Sequence, residues 1–106
     1  MSTFNTLFER QVEQTPEAPA LLDDDGETTY NQLNAQANRL ARLLVSRGLG
    51  PDDIIAVSLP KGRELIVVLL AVTKAGAAYL PIDPTYPTER ILHMLSDARP
   101  VLLVTL

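Results

Sequence analysis

Lys61 and Arg63 lie in the short segment after the apolar run 54–59 and are the residues best placed to contact a negatively charged ligand. Such a run is typical of a buried parallel strand. In open α/β sheets, ligands bind beyond the carboxyl ends of strands at a topological switch point. A phosphate contact is therefore one interpretation of Lys61 and Arg63. A solvated loop is the simpler interpretation, and we adopt it.

The acidic residues and the single histidine form no pattern that indicates catalysis or metal binding. The acidic triplet 23–25 is not followed by a further carboxylate at calcium-loop spacing, so we expect a hydrated turn over 23–26. Asp83 is a lone loop aspartate, which usually caps backbone N–H groups. His93 has no partner at metal-ligand spacing. We predict that the chain contains no catalytic, cofactor-binding or metal-binding residue.

The composition excludes several classes of function. The chain has 106 residues, 9 of them basic and 13 acidic, with a net charge of −4 and no cysteine. The absence of cysteine excludes disulfides and zinc–sulfur sites, and the negative charge without a basic cluster argues against nucleic acid. The apolar run 65–72 is far shorter than the roughly 20 residues that cross a bilayer. We expect a cytoplasmic protein without a membrane partner or a signal peptide.

Helical and strand-like patterns alternate along the chain and predict an α/β fold with a mainly parallel sheet. The predicted helices cover 4–14, the long stretch between Thr29 and Gly48, 64–75 and 88–97. The predicted strands cover 20–22, 27–29, 54–59, 78–81 and 101–104.

Three of these helices carry a predicted inward side. In the first helix it consists of Phe4, Leu7, Phe8 and Val12. In the long helix the apolar residues repeat with a 3.6-residue period, at Leu33, Ala37, Leu40, Ala41 and Leu44. In the last helix the predicted inward residues are Ile91, Leu92 and Leu95.

The run 65–72 has almost no polar side, so its helix is predicted to be buried on most sides. A sheet of about three parallel strands, which is normally covered on both faces, cannot bury that much apolar surface. We therefore expect the outer face of this helix to need a partner. Self-association of the isolated chain is one way to supply it.

The stretch 74–90, KAGAAYLPIDPTYPTER, has the local features of a strand between two helices. Gly76 follows the apolar helix, where a residue free to adopt positive φ closes a helix C-terminus. Pro81, Pro84 and Pro87 each bias the preceding residue away from helix, and Pro87 suits the first turn of the next helix. Arg90, near that helix start, does not suit the helix dipole, so we expect a tertiary partner for it.

This stretch resembles the second core motif of the adenylation domains of nonribosomal peptide synthetases, KAGxAY followed by P-[LI]-D and P-x-Y-P-x-x-R. Upstream, TTYNQL at 28–33 resembles their first core motif, L-[TS]-Y-x-E-L, with Thr28 and Gln32 as departures. Thr29 and Gln32 also suit the capping box of the long helix. The resemblance covers Leu7 to Thr105.

The resemblance implies the N-terminal portion of the large subdomain of the adenylate-forming enzyme fold. It implies a parent that uses ATP and Mg²⁺ to convert an amino acid to an aminoacyl-adenylate and loads it on a phosphopantetheine carrier. The matching positions are scaffold positions, and the family's phosphate loop, ribose-binding aspartate and C-terminal lysine have no counterpart here. We expect residues 1–106 to be a single incomplete domain that is inactive alone.

Two other interpretations remain open. The expected partners of a scaffold fragment are the remainder of the adenylation domain or neighbouring synthetase domains. A standalone interaction module that binds a neighbouring synthetase domain is the alternative. A complete small enzyme is the third interpretation, and the missing phosphate loop disfavours it.

Overall fold

Helices and strands alternate through residues 4–105, the part of the chain that the computed structural model describes, apart from the side chain of Phe4. The elements are α1 (Phe4–Gln14), β1 (Pro19–Asp23), β2 (Gly26–Thr29), α2 (Tyr30–Ser46), β3 (Ile54–Ser58), α3 (Arg63–Lys74), β4 (Ala78–Pro81), α4 (Thr88–Ala98) and β5 (Leu102–Thr105). The predicted α/β fold is confirmed. Within this range no helix combines the length and apolar character needed to cross a membrane.

The strands form two separate sheets. β1 and β2 are an antiparallel hairpin, and β4, β3 and β5 form a parallel sheet in that order. β3 lies in the centre, with Ile55 paired to Tyr79 of β4 and to Leu102 of β5. Consequently β4 and β5 each leave one edge of the described sheet unpaired.

One hydrophobic core lies between the parallel sheet and the helices α2 and α3. Ile55 and Val57 point to this face and are almost completely buried. They pack in one cluster with Ala41 and Leu44 of α2 and with α3 residues that include Val72. Ala56 points to the opposite face, because strand side chains alternate. It is also fully buried.

A second core covers the other side of α3. Phe8, Leu33, Ala37 and Leu70 form a buried cluster, against which Ile66, Val67 and residues of the hairpin pack. None of the side chains in the run 65–72 is exposed. α1, α2 and the hairpin cover part of this helix, and Leu65, Ile66, Val67 and Leu69 remain half-buried. That its outer face needs a partner beyond the chain stays a prediction.

The predicted inward sides of the two short helices are partly wrong. In α1, Phe8 is buried and Val12 packs beside it, but Leu7 is exposed. In α4, Ile91 and Leu95 are half-buried, whereas Leu92 is 60% exposed. At 3.6 residues per turn, Leu92 lies roughly 100° around the helix from Ile91. Position 94, occupied by Met94, completes the half-buried stripe instead.

Local capping sets the ends of the two central helices. The predicted capping box of α2 is confirmed, since the Gln32 N–H donates to Thr29 Oγ1 at 3.1 Å and the Thr29 N–H donates to Gln32 Oε1 at 2.9 Å. The predicted closure of α3 is confirmed by Gly76, which adopts a φ of 84°. The Ala77 N–H then reaches back to the Val72 carbonyl at 3.1 Å and turns the chain into β4.

Removal of the Thr29 hydroxyl tests whether this cap stabilises the fold. We expect Thr29→Ala to lower the free energy of unfolding by about 1 kcal/mol, because it leaves helix N–H groups without an acceptor. Gln32→Glu is expected to be neutral or slightly stabilising, since an acid in the first turn suits the helix dipole. Urea denaturation followed by circular dichroism measures both changes. The control is Thr88→Ala, a surface change at the start of α4 that removes no cap and should stay within about 0.5 kcal/mol. Equal effects of the two threonine variants would contradict the role of the box.

Candidate functional site

The carboxyl ends of β3 and β4 form the place in the sheet where a ligand of an open α/β fold would bind. α3, which connects β3 to β4, packs on the face of Ile55 and Val57. The connection from β4 to β5 passes back across β3, so a right-handed crossover places α4 on the opposite face. The loops after β3 and β4 therefore leave toward different faces of the sheet.

Asp83 is the acidic group at this point, and its carboxylate is used to hold a turn. Its Oδ1 accepts hydrogen bonds from the Thr85 N–H at 2.9 Å and from the Thr85 hydroxyl at 2.8 Å. These two bonds lower the pKa of Asp83, with smaller contributions from the charges of Lys61 and Arg90. The predicted capping of a backbone N–H is confirmed.

The basic residues around Asp83 do not converge on a common ligand position. Lys61 is exposed and acts on Asp83 only through its charge. Arg63 is half-buried as the first residue of α3 and lines a separate cavity of about 340 Å³ beside Glu64. Gly62 lies between Lys61 and Arg63 and has a φ of 156°. The interpretation of a solvated loop did not consider this glycine.

Arg90 has a local partner in place of the expected tertiary one. Its guanidinium carbon lies 3.9 Å from the centre of the Tyr86 ring. This is a cation–π contact between two residues that are close in sequence. Tyr86 is half-buried under this contact, whereas Tyr79 is exposed. The group around Asp83 therefore stabilises its own loop.

The acidic triplet and His93 lie away from the carboxyl ends of the parallel strands in sequence, in the hairpin turn and on α4. The acidic triplet lies in the hairpin turn, where Asp23 Oδ1 accepts from the Asp25 N–H at 2.9 Å. His93 is exposed on α4. Through the described residues there is no group of three or more His, Cys, Asp and Glu side chains that could hold a metal ion.

Lys74 has a tertiary role that the sequence did not reveal. Its side chain is only 6% exposed, and Nζ lies 2.7 Å from Glu9 Oε1 and 5.8 Å from the centre of the Phe8 ring. A partner 65 positions away in the chain leaves no local signal in the sequence around Lys74. The contact joins the end of α3 to α1 and shows that the lysine of the KAGxAY stretch serves packing.

Comparison with known proteins gives consistent matches over nearly the whole chain. Residues 8–106 match the sequence model of a family described as AMP-binding enzyme. The chain is 48% identical over 99 residues to a dimodular nonribosomal peptide synthase of Bacillus subtilis, a match that covers 93% of this chain and 4% of the relative. It is 45% identical over 103 residues to tyrocidine synthase 3 of Brevibacillus parabrevis, covering 97% of this chain and 2% of that protein.

Solved structures show the same arrangement. The N-terminal subdomain of Klebsiella oxytoca NpsA, in complex with 3-hydroxyanthranilyl-AMSN, superposes with a TM-score of 0.92 at 28% identity. The match covers 99% of this chain and 27% of that subdomain. A second match, with a TM-score of 0.90 and 30% identity, is an artificially fused adenylation–PCP di-domain, NpsA-ThdA, of which this chain covers 19%. The chain thus spans only a small part of the proteins it matches.

The Asp83 turn generates a prediction about pH. Because hydrogen bonds lower the pKa of Asp83 below its ordinary value of 3.8, the ionised carboxylate stabilises the folded loop above that pH. This contribution should be lost as the pH falls through the lowered pKa. We expect Thr85→Val to raise the pKa of Asp83 only part of the way, since the backbone N–H bond remains. Carboxyl ¹³C NMR titration measures the change. The control is Thr88→Val, which removes no hydrogen bond to Asp83, and an equal shift in both variants would contradict the assignment.

Proposed function

The chain belongs to the AMP-binding enzyme family as the N-terminal part of a nonribosomal peptide synthetase adenylation domain, and from this premise we propose that it is a scaffold segment of a larger catalytic domain. The observation that carries this proposal is the match over 99% of the chain to only 27% of the NpsA N-terminal subdomain. On this proposal residues 1–106 are one incomplete domain. Its role is to hold a parallel sheet and its covering helices in place for the rest of that subdomain.

The activity that we propose for the whole protein is amino-acid activation. ATP and Mg²⁺ would convert the amino acid to an aminoacyl-adenylate with release of pyrophosphate, and the acyl group would then pass to the thiol of a phosphopantetheine carrier. Two observations support this: the relatives are peptide synthetases by name, and one structural neighbour is an adenylation domain fused to a PCP domain. The ligand 3-hydroxyanthranilyl-AMSN is bound to NpsA and does not define the substrate here.

Our proposal assigns none of the catalytic steps to side chains of this segment. Asp83 is occupied by the Thr85 hydrogen bonds, and Lys74 is held by Glu9. Lys61 is an exposed side chain in a loop whose single glycine forms no run of backbone N–H groups that could enclose a phosphate. The proposed location is the cytoplasm, which the absence of cysteine supports because extracellular domains of this size often depend on disulfides.

A standalone interaction module is the second candidate. The observation that favours it is that the described residues enclose two hydrophobic clusters, one on each side of α3. The surface that such a module would use is the apolar edge of the sheet, where Val101, Leu102 and Leu103 are exposed together. Pull-down of the chain with the remaining part of an adenylation domain, compared with a neighbouring synthetase domain, distinguishes the two candidates.

The scaffold proposal predicts that the isolated chain is catalytically inactive. Purified chain mixed with ATP, Mg²⁺ and each of the common amino acids should give no pyrophosphate exchange above background, because the family's phosphate loop and C-terminal lysine have no counterpart in its sequence. A complete adenylation domain of the Bacillus subtilis relative serves as the positive control. Reproducible exchange that depends on one amino acid would show that these residues form an enzyme and would overturn the proposal.

A further inference from the structure

The turn between β1 and β2 contains the one Asp-Gly step of the chain, Asp25–Gly26. Both residues are exposed. Gly26 adopts a φ of 115°, and the position that a Cβ would take there has no other atom within 4 Å. Since Gly26 itself carries no side chain, the backbone on this side of the glycine is open to solvent.

The Asp25 carboxylate is not used to hold the turn. That task falls to Asp23, whose Oδ1 accepts a hydrogen bond from the Asp25 N–H at 2.9 Å. Through the described range 4–105, no hydrogen bond or ion pair engages the carboxylate of Asp25. This carboxyl group is therefore free to rotate toward the peptide bond that follows it.

The other aspartates lack this combination of a free carboxyl group and an unhindered following nitrogen. Asp83 precedes Pro84, whose nitrogen carries no hydrogen. Asp53 precedes the β-branched Ile54, and its Oδ2 accepts the Gly50 N–H at 2.9 Å. The remaining aspartates are each followed by a residue with a side chain, and the chain contains no Asn-Gly step.

We propose that Asp25 is a site of covalent modification, at which aspartate isomerises spontaneously to isoaspartate. The Gly26 nitrogen attacks Cγ of the protonated Asp25 carboxyl group. The N–Cγ bond forms, and the carboxyl OH leaves with the amide hydrogen as one water, which closes a five-membered succinimide. Water then opens the ring. Cleavage between the nitrogen and the main-chain carbonyl of Asp25 gives isoaspartate, and cleavage at Cγ restores aspartate. The water that left is returned, so no oxidant or cofactor is consumed.

The modification changes the main chain at the point where the two strands of the hairpin are joined. Isoaspartate adds one methylene carbon to the main chain beside the pair Asp23–Gly26, which closes the ladder. Ala20 and Leu21 of β1 pack against the cluster around Phe8. A longer turn alters the pairing that positions these two residues, so we expect it to loosen the hairpin. The product also exposes a new α-carboxylate, which is the group that an isoaspartyl carboxyl methyltransferase methylates with S-adenosylmethionine.

The test incubates the purified, folded chain at physiological temperature and mildly acidic pH. Samples are treated at intervals with an isoaspartyl methyltransferase and labelled S-adenosylmethionine, and the label is located by peptide mapping. We expect label to accumulate with time on the peptide that contains Asp25. A transient form of this peptide, lighter by one water, should accompany it. The proposal does not depend on the proposed function, because it concerns the chemistry of the turn alone.

Two matched substitutions in the turn provide the control. Asp25→Glu keeps the charge but would require a six-membered ring, so it should lose the label. Asp24→Glu keeps the charge and the Asp-Gly step, so it should be labelled as the unchanged chain is. Equal labelling of the two variants would overturn the proposal. Label that appears only when the chain is unfolded in urea would also overturn it, because the folded hairpin would then protect the site.

Amide hydrogen exchange tests the structural consequence. The isoaspartyl fraction is separated from the unmodified chain by chromatography, and both are measured. Exchange at Leu22 and Thr28 should be faster in the isoaspartyl fraction, because the hairpin opens more readily. Unchanged exchange at both amides would contradict the expected loosening of the hairpin.

Discussion

The rest of the structure depends on the burial of α3 from two sides. One side packs against Ile55 and Val57 of the central strand, and the other side packs against α1, α2 and the hairpin through Leu70. The helix is almost entirely apolar between its charged ends, so neither set of neighbours alone removes its surface from water. The two hydrophobic clusters are therefore joined through one element. The hairpin and α1, which lie outside the parallel sheet, are needed to complete the cover of that helix.

A fixed turn occupies the loop after β4, at the carboxyl end of the parallel sheet. The loops after β3 and β4 are short and are fixed by the helices that they lead into. Asp83 is engaged by Thr85, and Arg90 lies against Tyr86, so that the polar groups there satisfy one another. In a larger domain such a loop is a rigid boundary. The reactive groups would then come from polypeptide that packs against it.

The parts of the fold that could be predicted from the sequence are those set by neighbouring residues. The capping box of Thr29 and Gln32 and the closure of α3 at Gly76 depend on local chemistry, and both were recognised from spacing alone. The contact of Lys74 with Glu9 could not be predicted, because its two partners meet only when α1 docks on α3. The packing of α1, α2 and the hairpin against α3 was not predicted for the same reason. The prediction that Leu92 points inward could have been avoided, because the helical period places it about 100° around the helix from Ile91. Within the candidate site, the cap made by Asp83 was predicted, but the cation–π contact of Arg90 was not.

The coupling of the two clusters through α3 is tested most directly by a small cavity on one side of that helix. Leu70→Val removes one methylene from the cluster around Phe8 and should cost on the order of 1 kcal/mol. Amide hydrogen exchange is then measured in β3, which lies in the other cluster, and in α1. The account predicts that exchange at Ile55 and Val57 accelerates together with exchange in α1 and by a similar factor. Faster exchange in α1 with unchanged protection of β3 would show that the clusters open independently, and it would contradict the account.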